Sequence, residues 1–203
     1  MGNDIERVAM DIRRGAGFGD EHTVHVGQVV RHWMGVDVLM VEPGQLQLGT
    51  LLRTAGRWQI AVVETAMDPR FVASHELGHW VFRHLHGMTF ASLDDEERAA
   101  NVFAAVLLAP AKLVTRAHAH YGENVRGIAS GVRISQTSTV LRLGEVRGED
   151  RGVVTPGGRT LLRGTTLTRE SAIAAARGKV PGLARTRLRG GIDEGRVAVR
   201  VVG

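Results

Sequence analysis

The chain has 203 residues, 43% of them apolar, enough for a real core and too many for wholesale disorder. It has no cysteine, which excludes disulfide scaffolds, thiolate zinc sites and cysteine nucleophiles. Its longest apolar runs, such as residues 102–109, fall far short of a ~20-residue membrane span, and no charged-then-apolar leader opens it, so the cytoplasm is the expected location.

In chain order, residues 3–14 place Ile5, Val8, Met10 and Ile12 near helical spacing, and residues 22–34 read as a second helix stopped by Gly35. The β-branched, apolar stretch 36–42 reads as a strand. Residues 48–64 read as a hairpin turned at Ala55-Gly56. Helices are predicted from Pro69 to about His86, over 93–109 up to Pro110, and as two shorter pieces over 111–121 and 122–131. After Gly144 the texture turns charged and Gly-rich, with a turn cluster at 155–158, a basic stretch at 182–191 and an alternating strand at 196–202. This divides the chain into residues 1–146, including a helical subdomain at 111–146, and a basic Arg/Gly-rich segment at 147–203 of unassigned role.

Charge is split unevenly. Residues 1–110 carry 9 basic against 14 acidic side chains, and residues 111–203 carry 17 against 7. A basic half beside an acidic one invites contact with an anionic partner such as nucleic acid. Because 24 of the 26 basic residues are Arg, compositional bias is the competing reading.

The sharpest motif is His75-Glu76-Leu77-Gly78-His79 on a predicted helix. Two His at i and i+4 share a helical face with Cβ atoms about 5–6 Å apart, so both imidazoles can reach one zinc. Glu76 faces the open side. There it can take a proton from an attacking water and pass it to a leaving amine. Catalytic zinc usually takes three protein ligands. A third His at the HExxHxxGxxH spacing is absent, since Phe82 and Leu85 occupy those places and His84 and His86 merely flank them. The alternative is a Glu from the next helix, where Glu97 and Asn101 stand at i and i+4 with Ala104 and Leu108 on the same face. Glu97 can then bind the metal, while Asn101 hydrogen-bonds a ligand His from behind.

HELGH followed by Glu97-Arg98-Ala99-Ala100-Asn101-Val102-Phe103-Ala104-Ala105-Val106-Leu107-Leu108-Ala109-Pro110 resembles the ImmA/IrrE-type metallopeptidases, whose second helix reads roughly E-x-x-A-N-x-F-A-x-x-L-L-x-P. The preceding RFVAS also fits, with Ser74 in place of the usual Ala. Where the family has a second Glu directly before the Ala-Asn pair, this chain has Ala99, which leaves Glu97 as third ligand with Glu96 as competitor. The resemblance covers about residues 1–145. It implies an α+β, zincin-like metallopeptidase core, with a small antiparallel sheet packed on the HExxH helix and a second ligand helix. It further implies Zn²⁺ on His75, His79 and Glu97, Glu76 as general base, and a cytoplasmic endopeptidase. Its substrate would be a helix-turn-helix repressor in a phage, mobile-element or stress circuit.

Three residues after the second helix, Tyr121, His118 and His120, are candidates to stabilise the oxyanion, although an ordinary helix-end residue is the favoured reading of each. Residues 127–145 have the outline of a helix-turn-helix, although Arg133 stands where a tight-turn Gly is usual and Thr139 where a core residue is usual. The same stretch matches the family's V-S-x-x-A-x-x-x-R-L through Ile134-Ser135, Ser138 and Arg142-Leu143. A DNA-binding regulator using 127–145 and the basic tail, with a structural zinc, is therefore the rival to a peptidase.

Overall fold

The computed structural model describes residues 2–44, 48–66, 68–163, 166–178, 183–188 and 196–201. Two compact units divide the chain at Met1–Leu113 and Val114–Gly203. The change of texture near residue 146 falls inside the second unit.

In the first unit, α1 (Gly2–Gly15) buries Ile5, Val8, Ala9 and Ile12, one stripe at the 3–4 residue spacing of an amphipathic helix. Arg13 on the same helix is fully buried. Its guanidinium donates to Leu107 O in the last turn of α4 (Leu93–Leu108) and to the carbonyls of Gly19 and His22. A cation thus meets a helix end whose carbonyls have no helical partner. Burial pulls its pKa down to about 10, which leaves it charged at neutral pH. Helix α2 (Val26–Met34) buries Val26, Val29 and Val30, and Gly35 at φ 69° closes it in the left-handed region that favours glycine.

Strands β2 (Gly49–Thr54) and β3 (Arg57–Val63) form the hairpin at Ala55-Gly56, both at positive φ as a two-residue turn requires. Strand β1 (Leu39–Val41) takes the other side of β3, giving the order β1-β3-β2. The sheet is mixed rather than antiparallel throughout as expected. Leu39 pairs with Ala61 and Val41 with Val63 in parallel, because β1 comes in from α2 running the same way as β3.

Helix α3 (Pro69–Trp80) starts where Asp68 accepts from Phe71 N and Pro69 fills the first position. It runs on as one π-helical stretch, Val81–Leu85. Helix α4 is capped by Ser92, which accepts from Asp95 N. The two helices approach closely because Gly78 has no side chain. A Cβ there would meet Phe103 Cδ1 at 3.1 Å and Ala100 Cα at 3.4 Å.

The second unit takes most of α5 (Ala111–Tyr121) together with α6 (Val125–Val132), α7 (Gln136–Arg147), β4 (Arg151–Val154), β5 (Thr160–Arg163), α8 (Arg169–Arg177), β6 (Leu183–Arg187) and β7 (Val197–Val201). Its antiparallel sheet has the order β5-β4-β7-β6. Alternation along the strands gives it two faces. Val154 and Val199 pack with Leu167, Ala172 and Ala175 beside α8. Val153 and Ala198 pack with Val125 of α6 and Val140 of α7. The basic segment thus forms a sheet of its own. Residues 182 and 189–191 of the 182–191 stretch, and Val202 of the last strand, lie outside the described residues. Among the described residues no single helix is long and apolar enough to cross a membrane.

Candidate metal centre

Helices α3 and α4 bring His75, His79 and Glu97 together, one ligand atom from each lying within 4.8 Å of the others. The two Nε2 atoms are 3.1 Å apart. Glu97 Oε2 is 3.2 Å from His75 Nε2, and Glu97 Oε1 is 3.2 Å from His79 Nε2.

The outer side of each ring is also held. Nδ1 of His75 lies 3.2 Å from Asn101 Oδ1, and Nδ1 of His79 lies 2.9 Å from Glu96 Oε1. Both acceptors are oxygens, so each Nδ1 donates, and in the neutral imidazole Nε2 then carries the lone pair. Two imidazole lone pairs and a carboxylate then converge. Three Lewis bases so arranged repel one another unless protons or a metal ion join them, and nitrogen with oxygen donors is a set that zinc accepts. The residues fit the metal that the motif calls for.

Glu96, the competitor for third ligand, stands behind His79. Arg83 grips it through Nε–Oε1 at 2.8 Å and Nη2–Oε2 at 3.1 Å. Burial alone would raise the pKa of Glu96, but the hydrogen bonds from Arg83 and His79 outweigh that and hold it below the ordinary value. Burial, followed by the neighbouring His79, lowers the pKa of His75. Glu76 is pushed up, foremost by burial.

Glu76 faces a cleft of about 980 Å³ shared with His75, His79, Arg83, Glu97 and the start of β2. Strand β2 lies hard against α3 here. A Cβ on Gly49 would come within 2.2 Å of Val72 Cγ1 and 3.3 Å of Glu76 Oε1. Among the described residues no strand covers the outer edge of β2.

The Arg83–Glu96–His79 chain is not foreseen in the motif. Arg83 sits one helical turn past His79, so the i, i+4 rule that links the two His extends to it. Tyr121, His118 and His120 belong to the second unit. The Tyr121 ring packs against His120 at 4.5 Å between centroids and closes over Gly127 and Gly131. His118 pairs with Glu123 at 3.1 Å. His84 stacks on Trp58.

A solved Mycobacterium tuberculosis transcriptional regulator is similar in fold, with a TM-score of 0.67 at 12% identity over 98% of this chain and 76% of that one. No curated protein matches the sequence. Residues 37–143, which carry the hairpin, α3, α4, α5, α6 and most of α7, match the IrrE N-terminal-like domain, a peptidase family. With the HELGH helix and the Glu97 helix meeting as they do, the chain belongs to the IrrE N-terminal-like family.

Proposed function

We propose that the chain is a zinc-dependent endopeptidase that cleaves a protein in the cytoplasm, a helix-turn-helix repressor being the substrate that the family resemblance implies. The observation that carries this reading is the convergence of His75, His79 and Glu97 beside an open cleft, with Asn101 and Glu96 fixing the two rings from behind.

In this scheme the three side chains hold the metal. Zinc, when bound, supplies Lewis acidity to a peptide carbonyl and to a water molecule. Glu76 takes one proton as the water oxygen bonds to the carbonyl carbon, and returns it to the amide nitrogen as the C–N bond breaks. An extended substrate adds to the uncovered edge of β2, which presents backbone groups next to Glu76. Gly49 is required there because any side chain would push β2 off α3.

The DNA-binding alternative has the charge of the second unit in its favour. Its reading helix would be α7, but from Gln136 to Val146 no residue of α7 is exposed. Thr139, Arg142 and Leu143 are buried there, and Thr139 Oγ1 donates back to Ser135 O at 2.9 Å. That surface suits packing better than groove reading, and the basic charge is left with weak, unspecific nucleic-acid contact. Zinc analysis decides the metal part of the proposal: about one zinc per chain in the wild type and none in His79→Ala supports it. Stoichiometric zinc in His79→Ala refutes it.

A further inference from the structure

Along β2 the cleft changes in character. At its beginning Leu48, Phe71 and Val72 make an apolar wall beside Glu76. Leu51 is the last strand residue to line it. Two residues on, Arg53 pairs across the hairpin with Trp58. Gly49, Leu51 and Arg53 point to one face of the strand, and Arg53 lies about 13 Å beyond Gly49 at ~3.3 Å per residue.

Arg53 is held there by aromatic contacts. Its guanidinium carbon lies 5.8 Å from the centroid of the Trp58 ring. The same ring stacks on His84 at 4.7 Å, and His84 lies 6.3 Å from Trp80. With Arg53 and His84 already against it, Trp58 serves as a platform for the cation more than as a receptor for another ring. Arg83 also lines the cleft, and its fork is taken by Glu96. Arg53 is exposed, and among the described residues no carboxylate pairs with it. A guanidinium restrained on a ring loses less freedom on meeting an anion than a free one does.

Resting on the peptidase reading, we propose that Arg53, carried by Trp58 and His84, is a specificity subsite for an Asp or Glu side chain of the substrate. A peptide added antiparallel to β2, the slightly more stable pairing, runs from Arg53 towards Gly49 and Glu76. The acidic residue therefore lies N-terminal to the cleaved bond. The four-residue offset from Gly49 to Arg53 puts it about three to five residues away.

The test uses the full-length, zinc-loaded chain and a peptide library made from a denatured proteome, with cut sites read by mass spectrometry. The expected result is enrichment of Asp and Glu at the third to fifth residue before the cut. A peptide with Glu there should exceed its Gln counterpart in kcat/KM by about fivefold, the upper range for a solvent-facing ion pair. Arg53→Gln should bring that ratio to about one, and Arg53→Glu should shift the preference to Lys and Arg with zinc content unchanged. Cleavage without acidic preference, preference for aromatic residues, or a preference that survives in Arg53→Gln overturns the subsite and leaves the peptidase reading standing. Absence of any cut by the zinc-loaded wild type overturns both.

Discussion

In the first unit His75, His79 and Glu97 turn their lone pairs towards one another at the side of an open cleft. In the second unit Glu123 meets His118, Arg151 and Arg200 at 3.1–3.3 Å, and Glu149 takes Arg147 and Arg151. Both are dense clusters of titratable side chains. The first is rich in acceptors and poor in protons, and the second balances cations against carboxylates. Arg151 is almost fully buried, yet its charge is met on two sides, which is what makes burying it tolerable. A cluster therefore points to chemistry when its members leave a shared need unmet, and to stability when they meet it among themselves.

The comparison breaks most directly at His79. In the proposed scheme His79→Ala removes one of three ligands, and loss of stoichiometric zinc is expected, measured by metal analysis of the purified chain. Next comes Glu96→Gln. It keeps an acceptor behind His79 but removes the charge shared with Arg83, and it should weaken zinc by about 10–100-fold in a chelator competition. Retained affinity would mean that the Arg83–Glu96–His79 chain only packs.

The second cluster should respond to pH instead of metal. The partners of Glu123 hold its pKa at about 2 against an ordinary 4.5, outweighing burial, which acts the other way. A carboxylate depressed on folding stabilises above its unfolded pKa, and that contribution fades as pH falls from about 4.5 towards 2. Glu123 is part-exposed, so after allowance for solvent screening it is worth about 1–2 kcal/mol. Glu123→Gln should therefore lower stability by that amount at pH 7 and by much less at pH 2, where about half of the folded-state carboxylate is protonated, read from denaturant unfolding at both pH values. The smallest effect belongs to the charge left over. Weak binding of a mixed-sequence duplex should drop at least tenfold between about 50 and 200 mM salt. If none is seen at low salt, compositional bias accounts for the arginines.

The convergence of His75, His79 and Glu97 was legible in the sequence because it is written in helical spacing. His75 and His79, and then Glu97 and Asn101, each stand four apart, and the Ala-rich face of α4 opposite Gly78 announces close packing. What was illegible depended on partners far along the chain. Arg13 stands beside Arg14 and reads as a surface cation, yet it is buried because carbonyls of Gly19, His22 and Leu107 converge on it. Arg151 lies in a stretch that reads as charged and Gly-rich, and it is buried because Glu123 stands 28 positions earlier. The direction of β1 was hidden too, since three apolar residues pair as readily in either sense and only the path from α2 decides. Glu96 and Glu97 are adjacent and chemically alike. The turn of α4 alone sends one carboxylate to Nε2 and the other to Nδ1.

Glu76 offers the most direct measurement. It binds no metal in this scheme, so Glu76→Gln keeps shape, fold and zinc and removes only the oxygen that takes the proton. The assay is co-expression with candidate helix-turn-helix repressors, the substrate class proposed above, with the cut fragment quantified. Glu76→Gln should hold zinc at wild-type stoichiometry and cleave about 10²–10⁴-fold less. Equal cleavage by the two proteins, both loaded with zinc, would contradict the proton-transfer role of Glu76.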